Sequence, residues 1–398
     1  MRYAMVSETY PPEINGVALT VQDLEHGLRA RGHEVHVVRP RQWPGEPPAA
    51  HEALAAGLPI PRYPGMRFGL PAPWLLRRQW ARSRPDAVYV ATEGPLGWSA
   101  LRTALRLDIP VATGFHTRFD QYTHDYGLAM LEPLAMRWMR RFHNASAATL
   151  VPTCELRDFL DGNGFSHVVH LPRAVDCARF DPARRDAALR TEWGIGEDQL
   201  AVLYFGRVAA EKNLALAIRA FEAVRARRPD ARFVWVGDGP QLAAVRAAHP
   251  DFVYCGLRLG LDLARHVASA DLFLFPSHSE TFGNVTLEAM ASGVATVAFR
   301  YGAAREHLRD GLHGAAIEDA DEDGFVAAAC ALATDDDGRR RMGARAREAL
   351  HRLRPGQVAS DFEAVLLDMA ARQRHDRRHA DRATGTDGSA RDANAAVA

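Results

Sequence analysis

Short apolar segments alternate with longer amphipathic segments along most of the chain. Residues 3–6 and 35–38 are short and apolar, and between them apolar residues recur at helical spacing from Val17 to Leu28. Gly32 then predicts the end of this helix. A strand, a helix and a second strand in this order are typical of a parallel sheet covered by helices.

The same alternation continues and predicts two α/β domains. Further strands are predicted in a first series at residues 86–91, 111–115, 148–152 and 168–171, and in a second series at 200–205, 232–236, 252–255, 271–275 and 294–299. A helical segment separates each pair in the second series, which is expected of a second doubly wound sheet. A length of 398 residues also favours two domains over one.

The predicted domain boundary lies where the periodic pattern stops. Residues 174–186 have no strong period and predict the hinge. We therefore expect an N-terminal domain over residues 1–175 and a second domain over 176–355. A helix at 356–372 should pack back on the first domain, and the polar, aromatic-free tail at 373–398 should be disordered.

Composition argues against several classes of protein, among them nucleic-acid-binding, zinc-binding and membrane-spanning proteins. Lys plus Arg and Asp plus Glu both number 49, so no net charge attracts nucleic acid. The four cysteines form no CxxC pair, which argues against a zinc site. The N-terminus lacks the apolar region of a signal peptide, and no uncharged apolar run could span a bilayer. We expect a cytoplasmic protein, with peripheral contact to the inner membrane as the alternative.

The stretch SHSETFGNVTLEAMASG carries the clearest candidate chemistry. Glu280 falls in a predicted loop and Glu288 about one turn inside the following helix. A loop carboxylate can accept hydrogen bonds from vicinal hydroxyls, and free N–H groups at a helix start suit a diphosphate. The N–H groups in question belong to Phe282, Gly283 and Asn284. Taken alone, the two acids also fit a capping residue and a solvent-facing helix residue.

Two cations follow the first predicted strand of the second domain. Arg207 and Lys212 lie in FGRVAAEKN, and side chains at the carboxyl end of such a strand face the crevice in which open α/β sheets bind ligands. Arg207 could bridge two phosphate oxygens and Lys212 could add a point charge, although Lys212 also fits an ordinary surface charge.

Three positions are ambiguous by themselves. Gly16, between the first strand and the first helix, either lets amides approach a phosphate or eases a tight turn. His116 ends a predicted strand, where it is either structural or placed to bind a substrate hydroxyl. In WVGDGPQL, Leu242 replaces the third glycine of a dinucleotide fingerprint, so we predict a strand-to-helix turn there.

Taken together, these residues resemble the retaining GT-B glycosyltransferases of family 4, which include GDP-mannose-dependent α-mannosyltransferases. The resemblance covers about residues 1–370 and implies two Rossmann-like domains facing across a cleft. It implies that Glu288 holds the ribose, that Glu280 holds the donor sugar, and that Arg207 and Lys212 hold the diphosphate.

For the other domain, the resemblance implies that Gly16 closes on the phosphate and that His116 lies over the donor sugar. One segment departs from the family. In FRYGAAREHL only Gly302 precedes Glu306, where many relatives have paired glycines, and this leaves the role of Glu306 open.

The expected function is therefore retaining, metal-independent transfer of a hexose, without a cofactor, to a lipid or saccharide acceptor. Mannose from GDP-mannose is the first candidate, and UDP-glucose, UDP-galactose and UDP-N-acetylglucosamine are alternative donors. A non-catalytic nucleotide-sugar-binding protein or a nicotinamide dehydrogenase fits the motifs less well. The segment LEPLAMRWMRRFH has an apolar face and three arginines, as expected either of core packing or of a helix lying on an anionic membrane.

Overall fold

The computed structural model describes residues 1–13, 15–60, 67–116, 132–277, 280 and 282–392, with only the backbone described for residues 132 and 378–392. These residues form two compact units. One contains residues 1–116, 132–171 and 358 onward, and the other contains residues 172–357. The N-terminal unit is thus completed by the end of the chain.

A parallel sheet forms the centre of the N-terminal unit. In chain order its strands are β1 (Arg2–Val6), β2 (Glu34–Pro40), β3 (Glu52–Ala55), β6 (Ala87–Val90), β7 (Val111–Gly114), β8 (Ala148–Val151) and β9 (Val168–His170). Their order across the sheet is β3-β2-β1-β6-β7-β8-β9. Two short strands, β4 (Gly57–Pro59) and β5 (Arg67–Gly69), form a separate antiparallel pair.

Helices connect these strands, because parallel neighbours need a crossover. The described ones are α1 (Gly16–Ala30), α2 (Pro73–Arg82), α3 (Pro95–Arg106), α4 (Glu132–His143) and α5 (Cys154–Gly162). Helix α1 begins where the Asn15 side chain accepts hydrogen bonds from the N–H groups of Val17 and Ala18. Its apolar face, which includes Val21 and Leu28, is buried against the sheet.

The C-terminal unit has its own parallel sheet. Its strands are β10 (Ala201–Phe205), β11 (Arg232–Val236), β12 (Val253–Gly256), β13 (Leu272–Phe275), β14 (Ala295–Phe299) and β15 (Gly314–Ile317), in the order β12-β11-β10-β13-β14-β15. Its helices are α6 (Ala187–Glu192), α7 (Leu214–Arg227), α8 (Leu242–Ala248), α9 (Gly260–Ala268), α10 (Asn284–Ala291), α11 (Gly302–His307), α12 (Glu322–Thr334) and α13 (Asp336–Ala349).

Apolar side chains cover both faces of this second sheet. Leu203 and Phe205 of β10 belong to the core on one face, and Val202 and Tyr204 belong to the core on the other. Strands buried on both faces read as continuous apolar runs, which is why the sequence predicts them well. The predicted α/β class with two doubly wound sheets is confirmed.

The last helix, α14 (Pro355–Asp392), joins the N-terminal unit from Val358 onward. Phe362 packs edge-on against Tyr89 of β6, with ring centroids 5.1 Å apart. Glu363 forms a hydrogen bond of 2.6 Å with His33 and an ion pair with Arg31. From Val358 onward this helix therefore stabilises the N-terminal unit.

Helix α14 also continues beyond the segment that the sequence assigns to it. Composition predicts disorder over residues 373–398, but the helix extends to Asp392. Gln373 and Arg377 both contact Asp108, and these contacts hold the helix beyond residue 372. The remaining predicted tail, residues 393–398, lies outside the described residues.

The packing of α13 against the end of α10 gives a stability prediction. A methyl group on Gly343 would overlap the carbonyl oxygen of Gly293. Replacing a helical glycine with alanine normally stabilises a protein by about 1 kcal/mol, but overpacking costs about 1–3 kcal/mol. We expect Gly343→Ala to lower the thermal denaturation midpoint.

Gly356→Ala is the matched control, because a methyl group there meets nothing within 4 Å. It should leave the midpoint unchanged or raise it. Equal midpoints for the two variants would contradict the close approach of α13 to Gly293.

Candidate functional site

The candidate site of the C-terminal unit lies where the strand order reverses. The sheet begins in the middle with β10, grows through β11 to β12, and then resumes on the other side of β10 with β13. Ligands of open α/β sheets bind outside the carboxyl ends of strands at such a reversal. Arg207 and Lys212 follow β10, and Glu280 follows β13, so the predicted residues flank this point.

The structure brings Lys212 and Glu280 into direct contact as an ion pair. Their side chains are only 16% and 18% exposed, so solvent screens their charges weakly. The Ser277 hydroxyl donates a hydrogen bond of 3.0 Å to the same carboxylate oxygen of Glu280. The site therefore holds an ammonium group that suits a phosphate beside a carboxylate that can accept hydrogen bonds from sugar hydroxyls.

Arg207 lies at the more open side of this site. Its side chain is 48% exposed and lies 3.5 Å from Glu211. The hydroxyl of Tyr204 donates a hydrogen bond of 2.8 Å to the Arg207 carbonyl oxygen. Burial, and then the negative charges of Glu280 and Glu211, raise the pKa of Tyr204 far above its usual range. Tyr204 therefore stays a neutral donor and holds the backbone at the end of β10.

Phe282 and Gly283, directly before α10, have a defined backbone geometry. Gly283 is the N-cap of α10 with φ of 85°, a left-handed conformation that favours glycine, and it provides no side-chain cap. The buried Phe282 accepts a hydrogen bond of 2.6 Å from the Ala303 N–H. A side chain at position 302 would overlap the Phe282 carbonyl oxygen, so this hydrogen bond needs a glycine at 302.

Asn284 and Glu288 lie one turn apart on α10, and both are half-buried. Residues four apart share a helix face. The predicted position of Glu288 inside this helix is correct. Gly293 follows the helix in a left-handed conformation, as expected of a glycine at a helix end. Glu306 is a half-buried residue of α11, and its role stays open.

Two acidic segments that could suggest a metal site act as helix caps instead. Asp321 accepts a hydrogen bond of 2.8 Å from the Gly324 N–H at the start of α12. Asp335 does the same for Gly338 at the start of α13. Acidic side chains favour helix N-termini, because they accept hydrogen bonds from the free N–H groups there.

The other two predicted residues belong to the N-terminal unit. Gly16 is the first residue of α1, and His116 is buried just beyond β7. His116 Nε2 lies 2.8 Å from the Tyr89 hydroxyl. A side chain on Gly114 would overlap both of these groups, so glycine at 114 permits the pairing. The expected contacts of Gly16 and His116 with a donor stay predictions.

Glu8 belongs to none of the motifs that the sequence singles out. It follows β1, at the strand reversal of the first sheet, and accepts a hydrogen bond of 2.9 Å from the Leu96 N–H at the start of α3. Burial raises its pKa to about 7. The N-terminal unit thus carries a carboxyl group that changes charge near neutral pH, and its place at a strand end was the signal that could have revealed it.

Comparison with known proteins agrees with this geometry. Residues 199–335 match the family described as "Glycosyl transferases group 1", and residues 14–179 match "Glycosyltransferase Family 4". A GDP-mannose-dependent alpha-mannosyltransferase from Corynebacterium glutamicum is 31% identical over 88% of this chain and 84% of its own length.

Two further proteins are similar to the chain. A GDP-mannose-dependent alpha-(1-6)-phosphatidylinositol monomannoside mannosyltransferase from Mycolicibacterium smegmatis is 30% identical over 83% of this chain and 89% of its own length. Among solved structures, sucrose-phosphate synthase from Thermosynechococcus elongatus has a TM-score of 0.75 and 17% identity, covering 93% of this chain and 99% of that one.

The two Rossmann-like units have the GT-B fold, and the family matches identify the chain as a glycosyltransferase. More particularly, the chain belongs to glycosyltransferase family 4 and is a hexosyltransferase. The family resemblance predicted from the motifs is confirmed.

The two glutamates should differ in kinetic effect. Glu280→Ala removes a group expected beside the transferred sugar and should lower kcat at least about tenfold. Glu288→Ala removes a contact expected in both ground and transition states, so the KM for the donor should rise more than kcat falls.

Glu222→Ala is the control, because Glu222 pairs with Arg225 on the surface of α7. It should leave both constants unchanged. Wild-type donor kinetics in Glu288→Ala, or an intact kcat in folded Glu280→Ala, would refute the corresponding assignment.

Proposed function

We propose that the protein transfers mannose from GDP-mannose to a lipid or saccharide acceptor with retention of configuration. The observation that carries this proposal is the Lys212–Glu280 pair, close in sequence to the start of α10, where the N-cap residue Gly283 has no side chain. The similarity to relatives named GDP-mannose-dependent mannosyltransferases supports the choice of donor.

In this proposal the C-terminal unit, residues 176–355, holds the donor. The diphosphate binds the N–H groups of Phe282, Gly283 and Asn284 at the start of α10, where the helix dipole favours negative charge. Arg207 and Lys212 neutralise the charge that develops on the leaving diphosphate. Glu280 accepts hydrogen bonds from the sugar and Glu288 from the ribose.

The transfer itself then needs no protein nucleophile. The acceptor oxygen bonds to the anomeric carbon on the face from which the diphosphate departs, and the bond to the β-phosphate oxygen breaks. That phosphate oxygen takes the proton of the acceptor hydroxyl, so the charges balance. The two cations lower the barrier because they stabilise the diphosphate more as it leaves than before.

The N-terminal unit takes the acceptor in this proposal, and His116 and Gly16 are its candidate site residues. The exposed apolar side chains of helix α4 support a lipid acceptor and peripheral membrane contact. Phe142 is fully buried, whereas Leu134 and Trp138 are 64% and 39% exposed. The predicted apolar face is therefore divided between the core and the surface, and its exposed part suits a lipid interface.

No helix in the described part of the chain combines the length and the apolar character needed to cross a bilayer.

The donor assignment can be tested with a panel of nucleotide sugars. We expect GDP-mannose to raise the thermal denaturation midpoint and to be hydrolysed slowly without acceptor, because a bound ligand stabilises the folded state. UDP-glucose, UDP-galactose and UDP-N-acetylglucosamine should do neither. Preference for a UDP-sugar would replace the donor but keep the transfer mechanism, and no response to any donor would favour a protein without this activity.

Metal dependence tests the charge assignment. Two cations at the diphosphate match the charge of one divalent ion, so the initial rate should be equal in excess EDTA and in added Mg²⁺ or Mn²⁺. Arg207→Ala should lose a few kcal/mol of transition-state stabilisation, about what one preorganised donor supplies. A rate abolished by EDTA and restored by metal would contradict this mechanism.

A further inference from the structure

Tyr89 is a tyrosine of β6 that is only 1% exposed, and its hydroxyl reaches His116. The hydroxyl oxygen lies 2.8 Å from Nε2 of His116, a buried residue just beyond β7. Two buried groups that share a hydrogen bond restrict each other, because a buried polar group that loses such a bond does not gain one to water. The bond therefore holds the His116 ring in one orientation.

The register of the first sheet places these two side chains together. Tyr89 is paired with Ala112 of β7, and Gly114 lies two residues further along that strand. Side chains two residues apart on a strand share one face of the sheet, so a path of small residues leads from the Tyr89 ring to the carboxyl end of β7. His116 follows two residues beyond Gly114, where this path ends.

Gly114 keeps this path open. A methyl group at position 114 would overlap both the Tyr89 hydroxyl and Nε2 of His116. Glycine in a buried strand offers no side chain for packing and loses more conformational entropy on folding than other residues, so it is expected where another group needs the space. Here the hydrogen-bonded pair takes that space.

The last helix of the chain holds the Tyr89 ring. Phe362 of α14 is fully buried and packs edge-on against it, with an angle of 75° between the ring planes. An edge-to-face contact favours one relative orientation of the two rings. The ring of Tyr89 is thus held by α14 and its hydroxyl by His116, so this tyrosine connects the last helix to the carboxyl edge of the first sheet.

We propose that Tyr89 is a positioning residue that fixes the His116 imidazole for contact with the sugar during transfer. Tyr89 is buried, so it acts through His116 and not by touching the substrate. The inference rests on the proposed function, in which His116 is a candidate site residue. A side chain that is held in place before the reaction needs no reordering in the transition state, and a small displacement of such a group lowers the rate strongly.

The test measures donor hydrolysis by a conservative variant of the full chain, with GDP-mannose or with whichever nucleotide sugar the donor panel favours. Tyr89→Phe keeps the ring and its contact with Phe362 but removes the hydroxyl. It should lower kcat about three- to tenfold, the effect of one hydrogen bond, and change the KM for the donor less than about twofold. This split is expected of a group that acts in the transition state and not in donor binding.

Tyr3→Phe is the matched control. Tyr3 is also 1% exposed, lies on the neighbouring strand β1 and has an edge-on contact with a histidine ring, that of His33. Its hydroxyl has no hydrogen-bond partner among the described residues, so Tyr3→Phe should leave both kinetic constants unchanged. The thermal denaturation midpoint shows that each variant is folded. An unchanged kcat in folded Tyr89→Phe, or an equal fall in both variants, would overturn the proposal.

A double-mutant cycle tests whether Tyr89 acts through His116. His116→Ala should lower kcat at least about tenfold. Adding Tyr89→Phe to it should cause little further loss, because the hydroxyl then has no imidazole to position. Two effects that multiply in the double variant would show that Tyr89 acts independently of His116, and they would overturn the proposal.

The single variants also distinguish this inference from the proposed function. Wild-type kcat in His116→Ala would refute the site role of His116, and the positioning role of Tyr89 with it. A loss of kcat in His116→Ala together with an intact kcat in Tyr89→Phe would overturn the positioning role alone.

Discussion

The candidate site depends on one constraint, which is that the first strand of the second sheet, β10, lies in the middle of that sheet. Each neighbouring pair of parallel strands needs a crossover, so a chain that begins at β10 must at some point return to the other side of that strand. At this return the loops after β10 and β13 diverge and leave a crevice. Lys212 and Glu280 come from those two loops and meet there, although 68 residues separate them.

Backbone contacts hold the described residues on both sides of this crevice. Phe282 is buried beneath the start of α10, its carbonyl oxygen is bound by Ala303, and Gly302 leaves room for that contact. Tyr204 holds the opposite loop through the Arg207 carbonyl. A catalyst that works by stabilising charge needs its groups fixed before the reaction, because reorganisation would consume the stabilisation they offer.

The sequence predicts the central strands to within two residues because burial on both faces leaves continuous apolar runs. It does not predict β3 or β15, which lie at sheet edges and contain only one large apolar residue each in EALA and GAAI. Glu280, Glu288 and Arg207 stand in local motifs that a reader of the sequence can recognise. Glu8 stands at a strand end that the sequence predicts, but its partner Leu96 lies 88 residues further along the chain, so the contact that buries its carboxylate has no local pattern.

The place of α14 has a consequence for the order in which the protein is made. Residues 172–357 form one unit from a continuous segment, whereas the unit that is synthesised first also needs residues 358 onward. During synthesis on the ribosome, the contact of Tyr89 with Phe362 cannot form until the whole second unit has been translated. The same holds for the packing of Gly27, in α1, against Ala359. The half of the enzyme whose synthesis begins first is therefore the half that matures last.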